Sequence, residues 1–222
     1  MQISSDTISI LKNFSAINNM LLLREGNVIH TISAGSNVFA RAAVAEEFPK
    51  EVAIYDLPSL LGILTLTNEM EVEFEENSVH ISKDGGTFEY FYAEPEVMQP
   101  KIDKWPTKSP KTENVFSFSL TAQDLQTLTK SAGILDVKSM VIEGDGQTVT
   151  LKISDPKMVG SNSYRRTLGE TDKEFKAVVQ FDNLRVIPDS YDLNLSTRAL
   201  HFSSTTRDLQ YWFALDPESK MV

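Results

Sequence analysis

VAIYDLPSLLGILTL, Val52 to Leu66, decides the fold. A short apolar strand runs into Asp56, a residue type that caps helix N-termini by accepting from the unpaired N–H groups of the first turn. Pro58 falls inside that turn, where its missing N–H costs nothing. Leu57, Leu60, Leu61 and Leu64 then recur at helical spacing and give the helix one apolar face. The same order returns near the end of the chain in VVQFDNLRVIP, Val178 to Pro188. There Asp182 follows an apolar strand as Asp56 does, and Pro188 predicts an early end to the helix.

Outward from these segments the chain alternates with period two. Met20–Arg24, Val28–Ser33, Val38–Ala43 and Val52–Tyr55 read as strands before the first Asp cap, and Glu71–Glu75, Ser78–Ser82 and Phe88–Tyr92 after it. Glu25-Gly26-Asn27, Lys83-Asp84-Gly85-Gly86 and Gly144-Asp145-Gly146 have the chemistry of turns. Ser4 caps a helix reaching about Ile17, with Ile10, Leu11, Phe14 and Ile17 on one face. Thr121 caps another containing Leu125, Leu128 and Ala132, and Leu120-Thr121 stands to it as Ile3-Ser4 stands to the first. The expectation is an α+β fold of two similar β-rich domains, each with two helices. Glu94 to Asn114, with four prolines and mixed charge, reads as the connection, giving domains at 1–93 and 115–222 and a connecting loop at 94–114.

Composition narrows the function. Among 222 residues there is no cysteine, which excludes disulfide, zinc-thiolate and cysteine-nucleophile chemistry. MQISSD has no basic stretch leading into an apolar run, so a soluble cytoplasmic protein is expected. The net charge is −10. Residues 1–110 carry 8 Lys+Arg against 16 Asp+Glu, and residues 111–222 carry 13 against 15. No basic run grips nucleic acid from one side, so any DNA contact must come from scattered cations gathered by the fold.

Catalytic motifs are missing. His30, His80 and His201 lack metal-ligand partners at i+2 or i+4. Ser9-Ile-Leu-Lys12 has the Ser-x-x-Lys spacing of some acyl-transfer enzymes but none of their companion motifs. No phosphate-binding glycine loop occurs. Glu69, Glu71, Glu73, Glu75 and Glu76, with Met70, Val72 and Phe74 between them, describe the wet face of a half-buried strand. No enzyme and no cofactor is expected.

ISSDTISILKNFSAIN (Ile3–Asn18) and VAIYDLPSLLGILTL closely resemble the first two helical segments of the sliding clamps of T-even-type bacteriophages. TAQDLQTLTKSAG (Thr121–Gly133), RRTLGE (Arg165–Glu170) and LQYWFALD (Leu209–Asp216) continue the resemblance more weakly. It implies the DNA clamp fold in a homotrimeric ring, with helices lining the hole and sheets outside. It also implies an ATP-driven clamp loader, a DNA polymerase tethered to double-stranded DNA, and action in the cytoplasm of an infected bacterial host. Transcription proteins are further possible partners, and no membrane is involved.

On that resemblance Lys12, Lys130 and Arg185, with Arg165 and Arg166 beside them, face DNA. Edge strands TFEYFY (Thr87–Tyr92) and SYRRTL (Ser163–Leu168) meet between subunits through Phe88, Tyr90, Tyr92, Tyr164 and Leu168. A partner's C-terminal peptide docks in an apolar pocket between the domains, walled by Phe39, Val97, Met98, Ala214, Leu215 and Pro217. Two other readings compete: a trimeric β-rich virion structural protein, and a hydrolase using Ser9 and Lys12.

Overall fold

The computed structural model describes residues 1–66, 70–101, 104, 113–158 and 160–221. Glu69 and residues 102–103 and 105–112 of the expected connecting loop lie outside the described residues. The chain divides into two compact units, Met1–Ser109 and Pro110–Val222.

The first unit opens with α1 (Ser5–Ile17), whose N-terminus is closed by Ser4, its hydroxyl accepting from Thr7 N–H at 3.3 Å. Ile10, Leu11 and Phe14 bury one face of α1, each such burial contributing roughly 1.5–3 kcal/mol. β1 (Leu21–Leu23) pairs antiparallel with β4 (Val52–Ile54), and β2 (Gly26–Ile32) with β3 (Val38–Phe48). α2 (Leu57–Leu64) follows and packs on α1. Asp56 caps α2 with both carboxylate oxygens, accepting from Ser59 N–H at 3.0 Å and from the Ser59 hydroxyl at 2.6 Å. β5 (Glu71–Phe74), β6 (Ser78–Lys83) and β7 (Gly86–Phe91) form an antiparallel sheet in that order. Asp84 and Gly85 both have positive φ, the requirement of the two-residue turn that joins β6 to β7. Glu71 and Glu73 are exposed on either side of buried Val72, as the alternation predicts.

The second unit repeats this order. β8 (Phe116–Leu120) leads into α3 (Ala122–Leu135), then β9 (Ser139–Asp145), β10 (Thr148–Ile153), β11 (Tyr164–Glu170) and β12 (Glu174–Gln180). The latter four make an antiparallel sheet ordered β11-β10-β9-β12. β13 (Tyr191–Leu195), β14 (Ala199–Ser204) and β15 (Leu209–Ala214) join β8 in a sheet ordered β8-β13-β14-β15. The pairings match too. β9 takes β12 as β1 takes β4, and β8 pairs with β13 where Gln2 makes a single bridge to Glu71. Gly144 has a packing reason to be glycine, because a Cβ there would lie 2.6 Å from the Phe175 ring.

One expected element is corrected. The fourth helix does not form: the residues around Asp182 make a single 3-10 turn, Phe181–Asn183, with no side-chain cap. Val186 and Ile187 are β-branched, and Pro188 disfavours helical backbone at Ile187, so too few residues remain to nucleate a helix. Tyrosines hold the backbone of Ile187 instead. Tyr211 Oη accepts from Ile187 N–H at 3.2 Å, and Tyr191 Oη donates to Ile187 O at 2.6 Å. Burial pushes both phenol pKa values upward, so both remain neutral hydrogen-bonding groups.

Candidate functional site

Sequence reasoning singled out three groups of residues, and the structure separates them by what their side chains are already doing. Lys12 is exposed on α1, away from the buried Ile10, Leu11 and Phe14, and Lys130 is exposed on α3. Arg185 is exposed but not helical; it follows the 3-10 turn, and its Nε donates to Asp182 O at 3.4 Å.

Arg165 and Arg166, expected as a pair, point to opposite faces of their sheet, as neighbours in a strand must. Arg166 stands opposite Leu151, on the buried side with Val149 and Ile153, whereas Arg165 stands opposite Lys152 on the other side. Arg166 is also already engaged, its guanidinium paired with the Asp124 carboxylate of α3.

The strands expected at subunit contacts are sheet edges. Among the described residues β7 pairs only with β6, and β11 only with β10. Phe88 and Tyr90 share a face of β7, opposite the buried Ile81 and Val79. Phe88 is 40% exposed. The other two aromatics are tied into their own unit. Tyr90 Oη donates to Asp56 O at 3.0 Å and accepts from Asp56 N–H at 3.1 Å, bracing the residue that caps α2. Tyr92 Oη donates to Glu75 O at 3.2 Å, and Lys50 Nζ lies 5.0 Å from its ring centroid. Burial, then the Glu75 carboxylate, pushes the Tyr92 hydroxyl up to about 12.

Phe91, 65% exposed on the opposite face of β7, was not singled out from the sequence. A period-two count places it on the polar side with Glu89 and Thr87, which hides it. On β11, Tyr164 and Leu168 are half-buried, and Leu168 sits at a bulge where the register against Val149 and Thr150 shifts.

The expected peptide-pocket residues divide by burial. In the first unit Met98 is fully buried, and Phe39 is buried in β3 with its ring stacked on His30 at 5.7 Å. Both are core side chains. Val97 is 45% exposed. In the second unit Ala214 and Pro217 are exposed and Leu215 is half-buried.

The histidines are structural neighbours of aromatic rings or surface groups. Burial, then the charges of Arg24 and Arg41, lowers His30 to about 4. His201 stacks on Trp212 at 4.4 Å, and burial lowers its pKa against the hydrogen bond its Nε2 donates to Gln210 Oε1. His80 lies 3.4 Å from Glu89. Glu46 is a buried carboxylate that the sequence reading missed. From β3 its two oxygens accept from Ser4 N–H and the Thr7 hydroxyl, both at 2.5 Å, at the start of α1. Burial raises its pKa, but those hydrogen bonds outweigh it and hold the carboxyl below its ordinary value. Among the described residues no cluster of His, Asp and Glu is placed to hold a metal ion, and no helix is long and apolar enough to cross a membrane.

The chain resembles known proteins in sequence and in fold. The sliding clamp of Enterobacteria phage T4 is 30% identical over 205 residues, 88% of this chain and 87% of its own. The chain belongs to the sliding clamp family. The sliding clamp of Vibrio phage KVP40 is 29% identical over 202 residues, 88% of this chain and 90% of the relative. The family model described as DNA polymerase processivity factor matches residues 4–98. Among solved structures, an A. fulgidus PCNA with the C-terminal region of FEN-1 bound superposes with a TM-score of 0.69 at 12% identity. It covers 99% of this chain and 98% of that one, which confirms the DNA clamp fold. The chain is therefore a clamp-fold processivity factor of DNA replication, from a family of non-catalytic accessory proteins.

Proposed function

We propose that three copies of the chain close into a ring around double-stranded DNA and tether the replicative DNA polymerase to it, after an ATP-driven loader has opened the ring. The two domains are residues 1–93 and 115–222, with 94–114 as the connection, and the site of action is the cytoplasm of an infected bacterial host. The observation that carries this reading is the pair of unlike edge strands, β7 and β11, one in each unit. An uncovered edge with exposed aromatics is an aggregation hazard unless a partner strand covers it. Two different edges joined head to tail make a heterologous contact, and such contacts generate rings when the rotation closes. The count of three is what the resemblance to the sliding clamps of T-even-type phages implies. A virion protein would present such edges too, but its family would not be that of sliding clamps.

Retention by topology asks little of direct DNA contacts. A net charge of −10 keeps the protein off loose nucleic acid, and a few exposed helix cations such as Lys12 and Lys130 tolerate passing phosphates. Arg166, being paired, is the weakest of the expected contacts. Val97 in the first unit and Ala214 and Pro217 in the second are the exposed members of the expected partner-binding set.

The test is light scattering over a dilution series, followed by loading onto circular DNA with clamp loader and ATP. A mass near three chains and retention lost on linearising the DNA are expected. A strict monomer at high concentration overturns the ring. Lys12→Ala with Lys130→Ala should flatten the salt dependence of DNA association, each lost phosphate contact lowering the log–log slope by about 0.9.

A further inference from the structure

Among the described residues strand β11 is bound to its sheet by one ladder, that with β10, and the ladder is interrupted at Leu168. Edge strands held on one side only are free to twist and fray, so whatever fixes β11 from its buried face matters to any partner that must meet it. Among the described residues, side chains of β8 and α3 meet this face. Beyond the bulge, the Phe116 ring of β8 lies 3.4 Å from where a Cβ on Gly169 would stand. Before it, Arg166 reaches the N-terminal turn of α3 and pairs with Asp124.

Asp124 already has a task. Its Oδ2 accepts from Thr121 N–H at 2.9 Å, and its own N–H donates to the Thr121 hydroxyl at 3.1 Å, closing the capping box of α3. The guanidinium takes the remaining oxygen, Oδ1. The side chains are only 37% and 23% exposed, so this pair is less screened than one on open surface. One carboxylate thus fastens both the start of the helix that carries Lys130 and the middle of an uncovered edge strand.

We propose that Arg166 is a positioning residue for ring closure, holding β11 through Asp124 in the conformation that the neighbouring subunit's edge meets. This rests on the ring reading above. The pair acts on association rather than on folding, because the β10 ladder and the buried Val149, Leu151 and Ile153 fold the sheet without it. It also ties the edge strand to the α3 terminus, so strain at one is felt at the other.

The test uses the full chain with Arg166→Met, which keeps an unbranched stem, and Asp124→Asn, which keeps an acceptor for Thr121 N–H. Each single variant should move the trimer-dissociation midpoint to about three- to fivefold higher concentration. The double variant should add little, since either change breaks the same contact. Arg166→Lys should recover part of the loss, and added salt should weaken wild-type association more than that of Arg166→Met. The melting temperature of the dissociated chain should hardly change. A trimeric wild type whose variants keep its midpoint overturns this inference alone. So does a midpoint shift matched by an equal loss of monomer stability, or one that adds fully in the double variant. A wild type that is monomeric throughout overturns the ring reading and takes this inference with it.

Discussion

The two units follow one pattern of strands and diverge at one element. In the first, α1 packs on α2, and Thr7, Ile10, Leu11 and Phe14 are buried on α1 alone. In the second, α3 buries only Leu128 and Ala132, and the matching helix is reduced to the turn Phe181–Asn183. What the missing helix leaves is a cavity of about 640 Å³ beside α3, lined by Leu125, Leu128, Met140, Leu184, Val186 and Phe202 among others. The difference teaches that the strand scheme is robust enough to keep its order and pairing while a helix is lost. Helix pairing is an addition to it.

The sharpest way to break the comparison is to empty each helix's anchor. Phe14→Ala opens a void under a helix packed on both sides and should cost about 3–5 kcal/mol. Leu125→Ala enlarges a cavity that already exists beside a half-buried side chain, and should cost about 1 kcal/mol. Urea unfolding, with hydrogen exchange resolved to peptides of each unit, would check both. Equal losses would mean that α3 is as firmly held as α1.

Acidification gives the next largest contrast. His30 is held neutral, its pKa lowered to about 4 by burial and two arginines. A group whose folded-state pKa is depressed contributes stability above its unfolded value and loses it as pH falls through the folded one. The first unit should therefore lose roughly 2–3 kcal/mol between about pH 6.5 and pH 4. At lower pH still, protonation of Glu46, whose carboxyl is held below its ordinary value by its hydrogen bonds, continues the loss and weakens the acceptors at the start of α1. The second unit's His201 is lowered as well, against an opposing hydrogen bond, so a shallower decline is expected there. Fluorescence-detected melting of wild type and His30→Gln between pH 7 and 4 would measure it. Parallel curves would remove His30 from the account.

What the sequence made legible follows from the range of each interaction. Ser4, Asp56 and Thr121 cap helices through bonds three residues away, so their roles could be read from spacing alone. The Asp84-Gly85 turn and the alternation of Glu71, Val72 and Glu73 are local in the same sense. Glu46 could not be read that way, because its partners at Ser4 and Thr7 are some forty residues distant and meet it only in the fold. Tyr90 looked like an interface aromatic by its strand position, yet its hydroxyl spans 34 residues to the Asp56 backbone. The Asp124–Arg166 pair was half legible: Thr121-x-x-Asp124 is a capping-box spacing, while the guanidinium arrives from a strand far along the chain. The fourth helix failed for a local reason. Asp182 supplied the cap signal, but the pre-proline restriction and two β-branched residues outweighed it over so few positions.

That failure yields the finest test of the comparison, since Asp56 and Asp182 hold matching places and should not matter equally. Asp56 accepts two bonds from Ser59, and these hold its carboxyl below the ordinary range. Asp56→Ala frees a helix N-terminus and should cost about 1 kcal/mol, with faster amide exchange confined to the first turn of α2. Among the described residues Asp182 makes no side-chain cap bond, and its ion pair to Lys138 at 3.9 Å joins two exposed side chains. Asp182→Ala should then change stability by less than about 0.5 kcal/mol. A loss at Asp182 as large as that at Asp56 would mean a capped helix forms after strand β12 in solution. The turn would then be one state of a segment that also samples its partner's fold. A silent Asp56→Ala would say instead that α2 is held by its packing on α1, and that the cap marks its start without securing it.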